Sequence, residues 1–243
     1  MKSIALALFA AFTLAAGPAS ALPANNPITV GLVAAYEFGG NANDVSGNGN
    51  NGVVNGAALA TGRDGALSGA YSFNGTSNIV ASNPVDLQTT NTVSLWIKLD
   101  TIGTGIYHYP IDLGALNNNW IEVLPTGVFR TGNSGGPTLD TGQLEVDQWY
   151  MLTRTFDGST LTAYINGQMS GSMPQLPNDP TSITIGSSGN GQYGHIGSID
   201  DVYIYDRALS ASEVQTLYSA VPEPTTAVLV GLGLIGLGVR GRS

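Results

Sequence analysis

The sequence predicts an all-β protein, two packed antiparallel sheets in a sandwich or jelly roll, and three observations lead there. Short runs of alternating apolar and polar residues recur at 32–38, 92–99, 121–123, 150–156, 161–165, 182–185 and 199–205. Alternation of period two puts one set of side chains on a buried face and the other on the surface. Between the runs stand Asn51-Gly52, Asn55-Gly56, Asn74-Gly75, Asp157-Gly158 and Asn166-Gly167, pairs that accept the positive φ of tight hairpins. Helix signals, by contrast, gather at 210–219 alone. There Ser210 is the cap, Glu213 completes a capping box, and Val214, Leu217 and Tyr218 share a face.

Taken from the start, the chain opens with a secretion signal. Lys2 precedes an apolar run at 4–16, then come Gly17, Pro18 and the small triplet Ala19-Ser20-Ala21. A charge, a short apolar core, a helix breaker and a small-x-small site make a signal peptide over 1–21, with the mature chain beginning at Leu22. The apolar run is well short of the roughly 20 residues that a membrane-spanning helix needs.

Residues 22–220 then form one domain, long enough to bury a substantial core. This stretch holds 16 of the 17 acidic residues and five of the 8 basic ones, so it is more acidic than the whole chain at −9. Such a balance excludes nucleic-acid binding by phosphate neutralisation, and it suits a soluble exported protein that offers carboxylates to a hard cation. The chain has no cysteine. Its stability therefore rests on the core, with or without a metal, and not on disulfides. Within the domain, Trp96 among Val93, Leu95 and Ile97 marks a strand buried on both faces. Phe156-Asp157-Gly158-Ser159 and Tyr164-Ile165-Asn166-Gly167 read as consecutive hairpin turns.

Several phrases fall in an order that names a family. They begin with Gly31-Leu32-Val33-Ala34-Ala35-Tyr36-Glu37-Phe38 and Asn43-Asp44-Val45-Ser46-Gly47-Asn48-Gly49, followed by Tyr71-Ser72-Phe73-Asn74-Gly75 and Val93-Ser94-Leu95-Trp96-Ile97. Gln148-Trp149-Tyr150, Phe156-Asp157-Gly158 and Tyr164-Ile165-Asn166-Gly167 continue the order, and Gly197-Ser198-Ile199-Asp200-Asp201-Val202-Tyr203 to Ser210 closes it. Over about residues 29–219 the chain resembles the laminin-G-like, concanavalin A-type lectin/glucanase domains. The resemblance implies a two-sheet jelly roll whose first and last strands pair.

The C-terminal end carries a second resemblance. Val221-Pro222-Glu223-Pro224 leads into an apolar run at 225–239 with Gly231, Gly233, Gly236 and Gly238, and the chain closes on Arg240-Gly241-Arg242-Ser243. Glycines at this density weaken a helix in water but permit close packing in lipid, and the two arginines hold the end on the cytoplasmic side. The Pro222-Glu223-Pro224 triplet, short apolar helix and basic stop of 221–243 resemble a PEP-CTERM sorting signal. That implies a transient partner, an exosortase, with the membrane engaged through the C-terminal helix until processing. It also implies a Gram-negative bacterium with an exopolysaccharide matrix, and hence a place in the cell envelope, at the surface or in that matrix.

Three groups of residues are candidates for chemistry. Asp44-x-Ser46-Gly47-Asn48-Gly49-Asn50 is an oxygen-rich loop suited to Ca²⁺, without the spacing of an EF-hand. The first-to-last strand pairing implied by the family would bring Asp201, or alternatively Asp200, toward Asp44 and Asn48. The competing reading is a turn whose side chains satisfy their own backbone. A sugar site is suggested by Tyr107-His108-Tyr109, by Trp120 after Asn117-Asn118-Asn119, and by Tyr193 with His195: rings stack on sugar C–H faces while amides bond hydroxyls. The same rings also suit core packing. Catalysis has weaker support. Laminarinase-type relatives use Glu-x-Asp-x-x-Glu, whereas Glu145-Val146-Asp147-Gln148-Trp149-Tyr150 has Tyr150 in place of the second Glu. The expectation is an exported, matrix-associated, non-catalytic protein that binds glycan through a Ca²⁺-stabilised jelly roll. A structural or adhesive protein without a sugar pocket is the alternative, and a glycan-degrading enzyme is a third class.

Overall fold

In the computed structural model, residues 26–81, 90–114, 119–133, 135–177 and 180–220 are described. The expected signal peptide, Asn118 and the 221–243 tail with its Pro222-Glu223-Pro224 motif and apolar helix lie outside them. No helix among the described residues is long and apolar enough to cross a membrane.

The strands, in chain order, are β1 (Leu32–Tyr36), β2 (Gly52–Asn55), β3 (Ala58–Ala60), β4 (Ala70–Asn74), β5 (Asn78–Ala81), β6 (Asn91–Leu99), β7 (His108–Asp112) and β8 (Trp120–Val123). They continue as β9 (Val128–Gly132), β10 (Thr138–Gln143), β11 (Trp149–Phe156), β12 (Thr160–Ile165), β13 (Gln168–Pro174), β14 (Thr184–Ile185) and β15 (Ile196–Tyr205), before helix α1 (Ala211–Ser219). The first sheet has the order β13-β12-β11-β6-β15-β4-β3, with β1 also on β15; the second has the order β10-β9-β8-β7-β14-β5-β2. The first and last strands pair as expected, Leu32 opposite Tyr205 and Tyr36 opposite Val202.

The alternation seen in the sequence fixes which side chains meet between the sheets. Val93, Leu95, Ile97 and Leu99 of β6 join Leu152, Ile199 and Ile204 from the first sheet against Ile111, Ile121, Val123, Phe129 and Ile185 from the second. At about 25 cal/mol per Å² of apolar surface removed from water, this layer is the main source of stability in a chain without disulfides. The other face of the first sheet is also covered. Met151, Tyr203 and Tyr205 pack beneath Val214 and Leu217 of α1, and Trp96 stacks on Tyr218 at 5.6 Å. Strand β6 is therefore covered on both faces, as its sequence predicts.

Helix α1 begins where its sequence says it should. Ser210 accepts from the Glu213 amide and the Glu213 carboxylate reaches back to the Ser210 amide, closing the capping box. Arg207 grips the same carboxylate at 2.6 and 3.1 Å, and these bonds pull its pKa down to about 2. The hairpin turns also form. Asp157 Oδ1 accepts from the amides of Ser159 and Thr160 between β11 and β12, and Asn166 and Gly167 both take positive φ between β12 and β13. A Cβ on Gly167 would stand 2.9 Å from the Tyr218 side chain, so this glycine also lets the hairpin reach α1.

One pair read as a turn is something else. Asn51-Gly52 enters β2, and Gly52 is small because Ile79 and the Ala42 carbonyl crowd it. Strands β10 and β13 had no clear signal in the sequence. They are edge strands with mostly polar, exposed residues, and Thr141 of β10 donates to the Ser170 carbonyl of β13, tying the two sheets at this margin.

Candidate functional site: an aromatic face on the second sheet

Core residues of β7, β8 and β9 point toward the first sheet, so the alternate residues face away from it. Ile121 and Val123 are core, which turns Trp120 and Glu122 outward; in β9 the same logic turns Arg130 outward beside Glu122. A register irregularity between His108 and Ile111 splits the two neighbouring rings of β7. Tyr109 goes to the outer face against Trp120, with centroids 6.0 Å apart, while His108 goes inward and meets His195 at 5.4 Å.

A buried serine hydroxyl brings Tyr193 to this face. Ser188 Oγ accepts from the amides of Gln192 and Tyr193 and donates to Asn190 Oδ1, and the Gly189 amide ties the loop to Asp112 at the end of β7. The Tyr193 ring thus lies on Tyr109 at 5.4 Å with 17° between planes, and Tyr107 is tilted against Tyr193 at 5.7 Å. Tyr107 and Tyr193 are 38% and 42% exposed, whereas Tyr109 and Trp120 are buried beneath them. The result is a four-ring surface, wet at one end and packed at the other, as amphipathic aromatics favour.

Polar groups border the rings. Arg130 holds Asp140 of β10 through two parallel bonds, Nε to Oδ1 at 2.5 Å and Nη2 to Oδ2 at 2.7 Å. Glu122, facing Arg130 across β8 and β9, is buried; loss of hydration pushes its pKa up to about 7, against a partial pull down from Arg130. Burial, with the nearby Glu122 carboxyl, raises the Tyr109 hydroxyl's pKa well above its ordinary value.

The structure thus brings Tyr107, Tyr109, Trp120 and Tyr193 together. His108 is a correction to the expected set. Its ring is fully buried, and its Nδ1 accepts from the Ile196 amide, away from the exposed face. His195 likewise lies wholly inside, where burial first and His108 second hold its pKa down at about 3. The sequence reading missed Glu122, Arg130, Asp140 and Ser188. Glu122 was within reach, because alternation along a strand at 121–123 sets it on the same face as Trp120.

The residues expected to hold Ca²⁺ are arranged for another task. Asp44 Oδ1 accepts from the backbone amides of Ala35 and Ser46 and Oδ2 from that of Asn50, while the Asn48 side-chain Nδ2 donates to the carbonyls of Leu32 and Val33. Asp201 is paired with Arg63 at 2.8 Å and also accepts from the Tyr203 hydroxyl. Asp200 accepts from the amides of Arg63 and Asp201, and burial, then Asp201, raises its pKa. With Glu37 and Asp64, Asp200 and Asp201 line a small pocket of about 180 Å³ in which Asp44 has no part. No group of three or more His, Asp or Glu is set to hold a metal among the described residues. Asp44 and Asn48 staple the loop to β1, and the donor set does not fit Ca²⁺. The Glu145–Tyr150 phrase lies at the approach to β11, with Glu145 and Asp147 exposed and Gln148 bonding Glu145.

Fold and face together define a two-sheet antiparallel sandwich with an aromatic, carboxylate-bearing outer sheet. The sequence profile of the Concanavalin A-like lectin/glucanases superfamily matches residues 73–215, and the chain belongs to that superfamily. A PEP-CTERM protein-sorting motif matches 220–243. No curated protein matches the chain. Among solved structures, domain 4 of AbnA, a GH43 extracellular arabinanase from Geobacillus stearothermophilus in complex with arabinotriose, is similar at 26% identity. That match covers 77% of this chain and 98% of the domain, with a TM-score of 0.59. The binding domain of Paraclostridial Mosquitocidal Protein 1 shares the fold at 21% identity and TM-score 0.63, over 78% of this chain and 52% of that one. The receptor binding domain of botulinum neurotoxin C/D mosaic serotype does so at 16% and 0.64, over 79% and 51%. This chain thus spans about half the length of each toxin structure.

Proposed function

We propose that the protein is an exported, non-catalytic glycan-binding protein of the cell surface or extracellular matrix. On this reading a signal peptide at 1–21 directs export and an exosortase acts at the Pro222-Glu223-Pro224 tail. The observation that carries the binding assignment is the ring series Tyr107–Tyr193–Tyr109–Trp120 bordered by Glu122 and Arg130. Exposed rings stack on the C–H faces of sugars, and the polar border bonds hydroxyls, the mixture typical of specific small-molecule sites. An open face suits a polymer lying across it better than an enclosed monosaccharide. The neighbour captured with arabinotriose is a sandwich of the same fold, which supports a sugar ligand for this one. Two carboxylates, Glu122 and Asp140, lie on the face, but Asp140 is committed to Arg130, which argues for binding over hydrolysis.

Burial of Tyr109 and Trp120 favours a second reading, an adhesive surface that contacts matrix proteins. A glycan array separates the two. Retention of the protein on one or more glycans, lost in Tyr193→Ala, supports the sugar face; no retention on any glycan by the folded protein rejects it.

A further inference from the structure

Glu122 has chemistry on this face that the fold leaves unused. The residue is 5% exposed, and its carboxylate makes no hydrogen bond among the described residues. The guanidinium beside it, Arg130, turns its Nε–Nη2 edge to Asp140 and exerts only a partial electrostatic pull on Glu122. A largely desolvated carboxylate that no protein donor bonds favours a proton, or a donor or cation brought by a ligand. Here the missing partner would enter beside aromatic rings, which attract organic ammonium groups through their π faces.

Resting on the glycan-binding reading, we infer that the face selects a polymer whose sugars carry free ammonium groups, with Glu122 as the ammonium acceptor and Tyr193 and Tyr107 as the stacking platform. Deacetylated hexosamines have this chemistry. Charge on the face points the same way. The charged groups facing Glu122 are Arg130 from β9 and Asp140 from β10, and Tyr109 of β7 lies beside it, with Tyr193 stacked on Tyr109 and Tyr107 on Tyr193. Two carboxyl groups, Glu122 and Asp140, thus share the Arg130 guanidinium, and a uronate polymer would meet repulsion where an amino sugar meets a partner.

Isothermal titration of the full chain in detergent, near neutral pH, tests this with three oligomers of equal length: glucosamine, N-acetylglucosamine and galacturonate. The glucosamine oligomer is expected to bind about tenfold tighter than its N-acetylated form, the uronate not at all. Glu122→Gln, which keeps shape and removes charge, erases that preference, and Tyr193→Ala weakens whatever binding remains. Equal or tighter binding of the acetylated or acidic oligomer, still dependent on Tyr193, overturns the ammonium selection and leaves the sugar face standing. Binding of none of the oligomers, or binding indifferent to Tyr193→Ala, overturns both.

Discussion

The ring of Tyr193 lies almost parallel on that of Tyr109, with centroids 5.4 Å apart, although one belongs to a surface loop and the other to β7. Ser188 holds the loop in this position through the backbone amides of Gln192 and Tyr193. The stack is therefore preorganised, and a ligand need not order it on arrival.

That arrangement separates binding from stability. Tyr193→Ala removes a ring that is 42% exposed, and it should change unfolding free energy by no more than about 1 kcal/mol while weakening glycan retention about tenfold or more. Trp120→Ala empties a buried position and should cost roughly 3–5 kcal/mol. Chemical denaturation beside the glycan array measures both.

Two buried groups give stability opposite pH trends. Glu122 titrates at about 7 in the fold against 4.5 as its ordinary value, so the folded chain holds the extra proton between them. Stability from this group is present below about pH 4.5 and declines as pH rises toward 7. His195, held at about 3 against 6.5, does the reverse: stability is full above about 6.5 and is lost as pH falls toward 3. Each contributes on the order of 1 kcal/mol per pH unit inside its window. Relative to wild type, Glu122→Gln should gain stability from pH 4.5 to 7, and His195→Gln should lose less on acidification. Urea titrations across that range read the differences.

The Arg63–Asp201 pair anchors the opposite face. Arg63 lies over the Trp96 ring at 4.5 Å, bonds Asp201 at 2.8 Å and reaches the Ala220 carbonyl at the end of α1. Arg63→Ala removes the counter-charge of buried Asp201, and a loss of about 3–5 kcal/mol is expected, with earlier unfolding of the helix in hydrogen exchange. Because Asp44 and Asn48 serve the loop backbone, adding EDTA should leave the melting temperature unchanged; a drop on chelation would place a metal in the fold.

Arg154 supplies a test of the interior. It is wholly buried, bonds only Asn91, through Nη1, among the described residues, and burial lowers its pKa to about 9. Arg154→Met, similar in length and apolar, should leave the protein as stable or more stable by about 1 kcal/mol or more. A large loss would mean that the guanidinium has a partner beyond Asn91.

Much of the fold was legible because the sandwich is written in period two. Residues 92–99 alternate cleanly, and β6 buries one set against the second sheet and the other under α1. The capping box of Ser210 and Glu213 is local chemistry and appeared where the sequence placed it. Edge strands β10 and β13 escaped because exposure removes the apolar signal. The site was half legible. Tyr107, Tyr109, Trp120 and Tyr193 stood out by type, but sorting Tyr109 outward from His108 inward depends on one irregularity in β7 that no composition records. Asp44 had the look of a cation ligand because carboxylates that bind amides and those that bind metals occupy the same Asn- and Gly-rich loops.

The most direct measurement is a crystal structure of the protein grown with the oligosaccharide that an array selects. A pyranose ring should lie flat on Tyr193 and Tyr107, with a hydroxyl or ammonium group within hydrogen-bond distance of Glu122. Sugar bound elsewhere, in the Asp200–Asp201 pocket or beside the Asp44 loop, with the four rings untouched, would contradict the assignment.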